Sequence, residues 1–574
     1  MSSDVGARPP SGRSDGAPPP AGPSGSAPPS SQPAGATQPG ASLARGAAVI
    51  SIATAVSRLT GFLRVVVVAG ALGTTYLANT YQTANTAPNL VFELMAAGVL
   101  TSVFVPTFVE HLISGERGNG WRAANALTSV AIVALSVLAA VLALAAPAVM
   151  RLLTLGVDDP SLRAREVELG ATWLRLFAPQ VVLYGAGMIM TAALHAHRRF
   201  ALAGVAPIFN NAVVICVYLA YAAMRGDKPP TLRGITDAQV LVLGTGTTLG
   251  VVAMTACLIP GLRSLGWSWR WRFEPSHPAV VKAARLGVWA LSYAGGYQAG
   301  LVVVLMLGNR VEGGVAAYQW AYTFFYVPHA LVAVPIGSVL FPAISESAAR
   351  GDTAGFVARV RDGLGMLAFV LVPAAGLALV LAVPVAALAL RYGAMTDAGA
   401  VLVGRALAGF AVGLPGYSAF LMLTRAFYAL ADTKTPALVN AGAVGIASAA
   451  GAVLFFTLPP AWSVPGLALG HSLGFSLGAL VLALLLGRRT ATVGRGLWPV
   501  SGRALAVGAA ATLVAVAVHA LVPAASPPTL LLNVVATAAA CASLYVAVMS
   551  RIGAPEMARL ARLGRLRPRW RAAS

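Results

Sequence analysis

Fourteen separate stretches between Ala47 and Arg551 are each apolar over about the 20 residues a helix needs to cross the hydrocarbon of a bilayer. In lipid every backbone N–H and C=O must be satisfied within the protein, so a chain with this many apolar stretches is restricted to a bundle of spanning helices. The expected spans are 47–73, 79–109, 123–149, 167–195, 201–224, 238–262, 278–307, 314–342, 357–385, 398–430, 434–458, 464–487, 503–523 and 528–550. Composition agrees: 57% of the 574 residues are apolar, 10% are charged and mean hydropathy is +0.76. A water-soluble domain carries roughly 25% charged residues, which excludes most soluble enzymes and binding modules.

The first 44 residues hold 10 Pro, 9 Ser and 7 Gly without an apolar run. Such a segment cannot offset the entropy of ordering, so 1–46 is expected to be a disordered tail, and without a secretory signal it stays on the cytoplasmic side. Cys216, Cys257 and Cys541 all lie in apolar segments, which suggests neither a disulfide framework nor a metal cluster. With the N-terminus inside, 27 of the 40 Lys and Arg fall in cytoplasmic segments and 8 in outer loops, so both termini are expected in the cytoplasm. The net charge of +21 is concentrated in short loops and in the tail Arg559–Arg571, which fits attraction to anionic lipid better than nucleic-acid binding.

The sequence also repeats. Thr101–Glu110 (TSVFVPTFVE) aligns without gaps to Gly337–Glu346 (GSVLFPAISE), an offset of 236. Phe177, Ala178, Tyr184, Ala186, Thr191 and Ala193 match Phe410, Ala411, Tyr417, Ala419, Thr424 and Ala426 at an offset of 233. Both alignments pair spans six apart, and an even shift preserves orientation. The expected architecture is therefore all-α, with two parallel six-helix lobes, 47–262 and 278–487, two added helices in 501–551 and a basic tail at 552–574. Transport folds of this kind hold cargo between lobes and rock one against the other.

Charges inside spans are costly, roughly 2.5–3.5 kcal/mol on insertion scales, so each needs a wet cavity or a partner. Ser57–Arg64 (SRLTGFLR) places Arg58 and Arg64 about 120° apart on a straight helix, so both meet one ligand only if the helix bends, which Gly61 permits, or if their side chains converge. Arg58 also lies near enough to the inner end to snorkel to headgroups. Glu93 is the one acid well inside a span; it is a candidate partner for Arg64 or for a coupling cation, or a buried neutral carboxyl. Pro88 frees a backbone carbonyl that Asn89 can bond, unless Asn89 turns to a ligand. Arg405 and Arg425 lie at opposite ends of the tenth span, and Arg175 near the outer end of the fourth; each is an interface residue unless it faces the cavity. There is no nucleotide-binding or catalytic motif, and His195 and His197 do not share a helix face. A secondary or passive transporter is expected, not an enzyme, with no cofactor and no metal.

Three stretches resemble the lipid II flippase family, MurJ or MviN, within the superfamily that also holds multidrug exporters and polysaccharide flippases. They are Ser57–Arg64, Pro88–Leu90 continuing to Phe104–Pro106, and Arg425–Pro436 (RAFYALADTKTP). The resemblance implies a V-shaped pair of lobes in the bacterial plasma membrane that carries the lipid-linked disaccharide-pentapeptide of peptidoglycan to the outer leaflet. It further implies that Arg58 and Arg64 line the cavity and face the diphosphate, and that the two extra spans shape a groove for the lipid tail. Asn89, Glu93 and Arg425 complete the expected binding set. Implied partners are lipid II, membrane lipids and cell-wall synthesis proteins, with no nucleic acid. The chain departs from the family's charge pattern at Asn79, Phe92, Glu93, Ala97, Tyr322 and Thr323. The competing readings are transport of another lipid-linked glycan or a drug, and a non-transporting scaffold that recruits cell-wall enzymes through its tails.

Overall fold

The computed structural model describes residues 39–95, 117–197, 199–267, 269–278, 280–281, 295, 298–490, 493–524, 526–554 and 556. Their regular structure is all helical, with no strand among them. The helices are α1 (Pro39–Leu72), α2 (Tyr76–Met95), α3 (Arg117–Leu144), α4 (Ala146–Leu153), α5 (Pro160–Phe177), α6 (Pro179–Ala196), α7 (Phe200–Arg225), α8 (Asp237–Ala256) and α9 (Ile259–Arg263). They continue as α10 (Gln298–Gly308), α11 (Gly314–Ala349), α12 (Thr353–Leu390), α13 (Asp397–Ala411), α14 (Leu414–Ala429), α15 (Lys434–Thr457), α16 (Ser463–Thr490), α17 (Val493–Leu521) and α18 (Pro527–Arg551). Met1–Ala48 and Val49–Ser574 separate as two units, and the packed helical bundle belongs to the second.

Each expected span overlaps a helix, but the number long and apolar enough to cross a bilayer is ten among the described residues, or eleven with α13 and α14 taken as one bent span. Of the expected spans outside that count, α1 carries Arg58 and Arg64, α2 carries Asn79, Gln82, Asn85 and Asn89, and α10 is described for only a short stretch. α1 begins at Pro39, ahead of the expected boundary at Ala47, because Ala41, Leu43, Ala44 and Arg45 are good helix formers. The surface is that of a protein in lipid: Leu331 and Leu513 are each 71% exposed.

The two aligned spans share a defect. α5 gives way to α6 at Ala178, and α13 to α14 at Val412 and Gly413, each just before a proline-bearing first turn. A broken helix frees carbonyls that must find donors elsewhere in the protein. In the first half the Thr248 hydroxyl of α8 donates to the Leu176 carbonyl at 2.8 Å. In the second half the Ser472 hydroxyl of α16 donates to the Gly409 carbonyl at 2.8 Å. The same repair is thus made from the sixth expected span in one half and the twelfth in the other.

Between helices in lipid, close packing replaces the hydrophobic driving force, and small residues permit it. α16 presents Gly466, Gly470, Gly474 and Gly478 at four-residue spacing to Leu454, Gly451, Ala447 and Ala443 of α15; a Cβ on Gly470 would lie 2.4 Å from Gly451 Cα. The first half is knit around Tyr81, whose ring meets Trp173, Phe177 and Tyr218 edge-on and whose hydroxyl lies 2.5 Å from Thr247 Oγ1. The added pair α17 and α18 packs on α12 through Phe369 and Tyr545, with ring centroids 5.4 Å apart. Asn533 closes their hairpin, donating to the carbonyls of His519 and Val522 at 2.9 and 2.7 Å.

Candidate functional site

A cavity of about 400 Å³ lies where the first and second halves of the chain meet. Arg64 of α1 and Thr86 and Asn89 of α2 line one side; Gly300 and Val304 of α10, Gln319 and Tyr322 of α11, Ser448 of α15 and His471 of α16 line the other. Arg64 is the one charged side chain among the described lining residues. The polarity of α2 has a purpose here, since Gln319 Nε2 donates to Thr86 Oγ1 at 2.9 Å and bridges the halves beside the cavity. Asn89 lines the cavity while its amide donates to the Asn85 carbonyl at 3.0 Å, one residue past the Ala84 carbonyl that Pro88 leaves unbonded.

The expected binding residues separate by depth along α11. Arg64 stands at the level of Tyr322. α1 runs on as a single helix, so Arg58, about 9 Å earlier along it, meets Tyr326 instead, with its guanidinium 5.0 Å from the ring centroid. Arg425 lies further along, against Gly337, where a Cβ would meet Arg425 Nη1 at 2.2 Å. His329 sits between these two cations and within their field. The Ser418 hydroxyl donates to the Leu414 carbonyl, so His329 Nδ1 is the donor in its 2.9 Å bond to Ser418 Oγ. The three arginines thus form a descending series, not one cluster. Glu93 lies on the last turns of α2, and its side chain is outside the described residues. Arg405 lies over Trp462, 5.5 Å from its centroid, away from the cavity. His197 Nδ1 bonds its own helix at the Ala193 carbonyl, and no metal-holding group occurs among the described residues.

His471 carries no signal in the sequence, yet it is the most unusual group here. It is buried in a box of Tyr322, Phe325, Phe410, Tyr417 and Phe475, and both ring nitrogens lack a hydrogen-bond partner among the described residues. A buried polar group left unpaired costs about 1–3 kcal/mol, and a cargo in the cavity is what can supply its partner. His471→Phe is expected to leave the melting temperature equal or higher and to lower transport several-fold; unchanged transport would remove His471 from the site.

One end of the cavity is sealed by bonds between the two halves. Asn79, fully buried, donates to the Val311 carbonyl at 2.8 Å, and its Oδ1 accepts from the N–H groups of Val315 and Ala316 at 3.0 and 3.4 Å. These are donors of the first turn of α11, so a residue of α2 caps a helix more than 230 residues away, as an N-cap would from within. The residue that precedes α11, Gly313, has φ +70° and could not carry a side chain, because a Cβ would lie 2.4 Å from Thr74 Cβ. Asn309 donates to Thr83 Oγ1 and to the Leu153 carbonyl, both at 3.1 Å, and the Ala394 N–H donates to the Gly70 carbonyl at 2.7 Å. Arg310 donates to both oxygens of Asp158 at 2.9 Å.

Toward the other end, the stretch Arg425–Pro436 forms the turn from α14 to α15. Ala431 adopts φ +57°, and Asp432 accepts from the Thr435 N–H and hydroxyl at 2.9 and 2.7 Å and pairs with Arg489 of α16 at 2.6 Å. The Thr435 bonds and, next, Arg489 hold the Asp432 carboxyl down at about 2. Its contribution to stability is therefore full above the ordinary carboxylate value and is lost as pH falls from about 4 toward 2. Asp432→Asn should lower the melting temperature at pH 7, and the gap to wild type should close across that window; a gap independent of pH would assign the loss to packing instead.

The chain matches the sequence profile described as Lipid II flippase MurJ over residues 68–536. It belongs to the lipid II flippase family. A relative named "Probable lipid II flippase MurJ" from Rhizobium tropici is 30% identical over 438 residues, covering 76% of this chain and 79% of its own. "Lipid II flippase MurJ" of Burkholderia cenocepacia is 26% identical, covering 78% and 84%. The fold is similar to that of the solved structure "Lipid II flippase MurJ, inward closed conformation", with a TM-score of 0.70, 18% identity and coverage of 88% of this chain and 99% of the other. An inward-facing multidrug resistance MATE transporter shares the fold more distantly, at TM-score 0.58 and 15% identity over 76% of this chain and 96% of its own. Membership in MurJ makes this a multi-pass protein of the bacterial inner membrane.

Proposed function

We propose that this chain moves lipid II from the cytoplasmic to the outer leaflet, without covalent chemistry, by rocking two lobes, 47–262 and 278–487, about the central cavity. What carries the reading is that a member of the lipid II flippase family keeps Arg64, the one cation among the described lining residues, in the cavity between its halves. A guanidinium bonds two phosphate oxygens at once, and a water-poor site strengthens each bond. Asn89, Gln319 and His471 offer neutral polar contacts around it, suited to sugar and amide groups. The matched repairs at the two helix breaks support a repeated lobe.

With both termini cytoplasmic, the seal around Asn79 lies at the outer face and Asp432 at the inner one. Arg425, Arg58 and Arg64 then form successive stations for an anion entering from the cytoplasm. The cavity's 400 Å³ accommodates a diphosphate with an adjoining sugar, so loading a disaccharide-pentapeptide requires the lobes to part. Two negative charges moving outward across an inside-negative potential gain about 2.3 kcal/mol each per 100 mV when unneutralised, which makes the potential a driving force. The family's other charges are replaced here by Asn79, Tyr322 and Thr323, which leaves Arg64 to hold the diphosphate. Complementation tests this: the chain, expressed in a strain depleted of its own flippase, restores growth and outer-leaflet precursor. Failure by a well-inserted protein would overturn the reading in favour of another cargo.

A further inference from the structure

A second cavity, of about 840 Å³, lies wholly within the first half, between α4 and α5. Arg151, Arg163 and Arg175 line it, together with Asp158, Glu168 and an apolar wall that includes Val167. Both acids are engaged by arginines outside it. Asp158 gives both oxygens to Arg310, and Glu168 pairs with Arg165 at 2.8 Å. Arg151, Arg163 and Arg175 pair with no carboxylate among the described residues, so the cavity presents three uncompensated cations. Arg163 is steered by a 3.4 Å bond from its Nη2 to the Arg151 carbonyl.

Its depth follows from helix lengths. Pro160–Ala196 is 37 residues long, about 55 Å, against about 30 Å of hydrocarbon. α6 has no Asp, Glu, Lys or Arg and is about 27 Å long, enough to fill the core. α5 carries five charged residues in 18 and must project. Arg175, four residues before α6 begins, then lies at the membrane surface, and the cavity stands in the headgroup layer on the Asn79 side.

We propose that this cavity binds a phosphate-bearing lipid headgroup in the leaflet it faces. Guanidinium groups over an apolar wall at headgroup height match a phosphate joined to a lipid stem. Under the orientation of the proposed function that leaflet is the outer one. Every lining residue belongs to one half, while the Arg310–Asp158 pair ties the charge of the site to the seal between the halves.

The test uses the full-length protein in nanodiscs and counts retained phosphatidylglycerol by native mass spectrometry. The variants are Arg163→Gln and the triple Arg151→Gln/Arg163→Gln/Arg175→Gln, each with a melting temperature measured alongside. Wild type should retain phosphatidylglycerol at least tenfold better than the folded triple variant, with Arg163→Gln intermediate and Arg64→Ala like wild type. Equal retention by wild type and triple variant overturns the proposal. So does binding of inorganic diphosphate in detergent with no arginine-dependent lipid retention, which would mark a free-phosphate site. The readout involves no transport, so arginine-dependent retention in a chain that flips nothing would sustain this site and remove the flippase reading.

Discussion

Arg64→Ala, expressed and inserted like wild type, should fail to support growth of a flippase-depleted strain, with outer-leaflet precursor reduced about 10- to 100-fold. The magnitude follows from loss of charge-assisted hydrogen bonds, worth about 1.5–3 kcal/mol, in a cavity with no second cation among its described lining residues. Arg64→Lys keeps the charge and loses the two-oxygen fork, and should fall between. Arg58→Ala should cost less, because Arg58 stacks on Tyr326 outside the cavity wall. Equal losses for Arg58→Ala and Arg64→Ala would mean that cargo binds lower along α11 than the cavity indicates.

The second large effect is expected at the seal. Asn79→Ala removes the cap of α11 and leaves the Val311 carbonyl without its donor. A lost cap costs about 1 kcal/mol and an unsatisfied buried carbonyl about 1–3 kcal/mol. Together these shift the closed-to-open balance at this end by about 30-fold or more, provided the open form solvates both groups. A cysteine at Ala316, fully buried in the closed form, reports the shift as faster labelling by a membrane-impermeant maleimide added from that side. Asn79→Asp keeps the acceptor and places a negative charge at a helix N-terminus but cannot donate to the Val311 carbonyl, so labelling should fall between the wild-type and Asn79→Ala rates. Unchanged labelling in Asn79→Ala would show that the glycine contacts and the Arg310–Asp158 pair close this end without it.

What could be read from the sequence was what local contrast reveals. Arg64 and Asn89 stand out as polar residues in apolar spans, and both line the cavity. The aligned pair Phe177 and Phe410 marks two spans that break at corresponding points. The arginine set was harder: Arg58 and Arg64 are six residues apart on unbroken helix, and only the packed α11 reveals the difference in level. Asn79 was visible as a missing acid, not as a cap, because its partners lie 232 to 237 residues away. His471 is one polar residue in a glycine-rich apolar helix, and its isolation exists only once five aromatic neighbours have been assembled from three other helices and its own.

The central claim is that this chain carries lipid II and that Arg64 holds its diphosphate. Purified protein reconstituted into vesicles containing lipid II, with the exposed fraction followed by a reagent that cannot cross the membrane, measures it directly. Wild type should expose inner-leaflet lipid II well above the protein-free rate, faster under an imposed potential of the physiological sign, and Arg64→Ala should remain near the protein-free rate at equal incorporation. Exposure by wild type no faster than by empty vesicles, or equal exposure by the Arg64→Ala protein, would contradict the account.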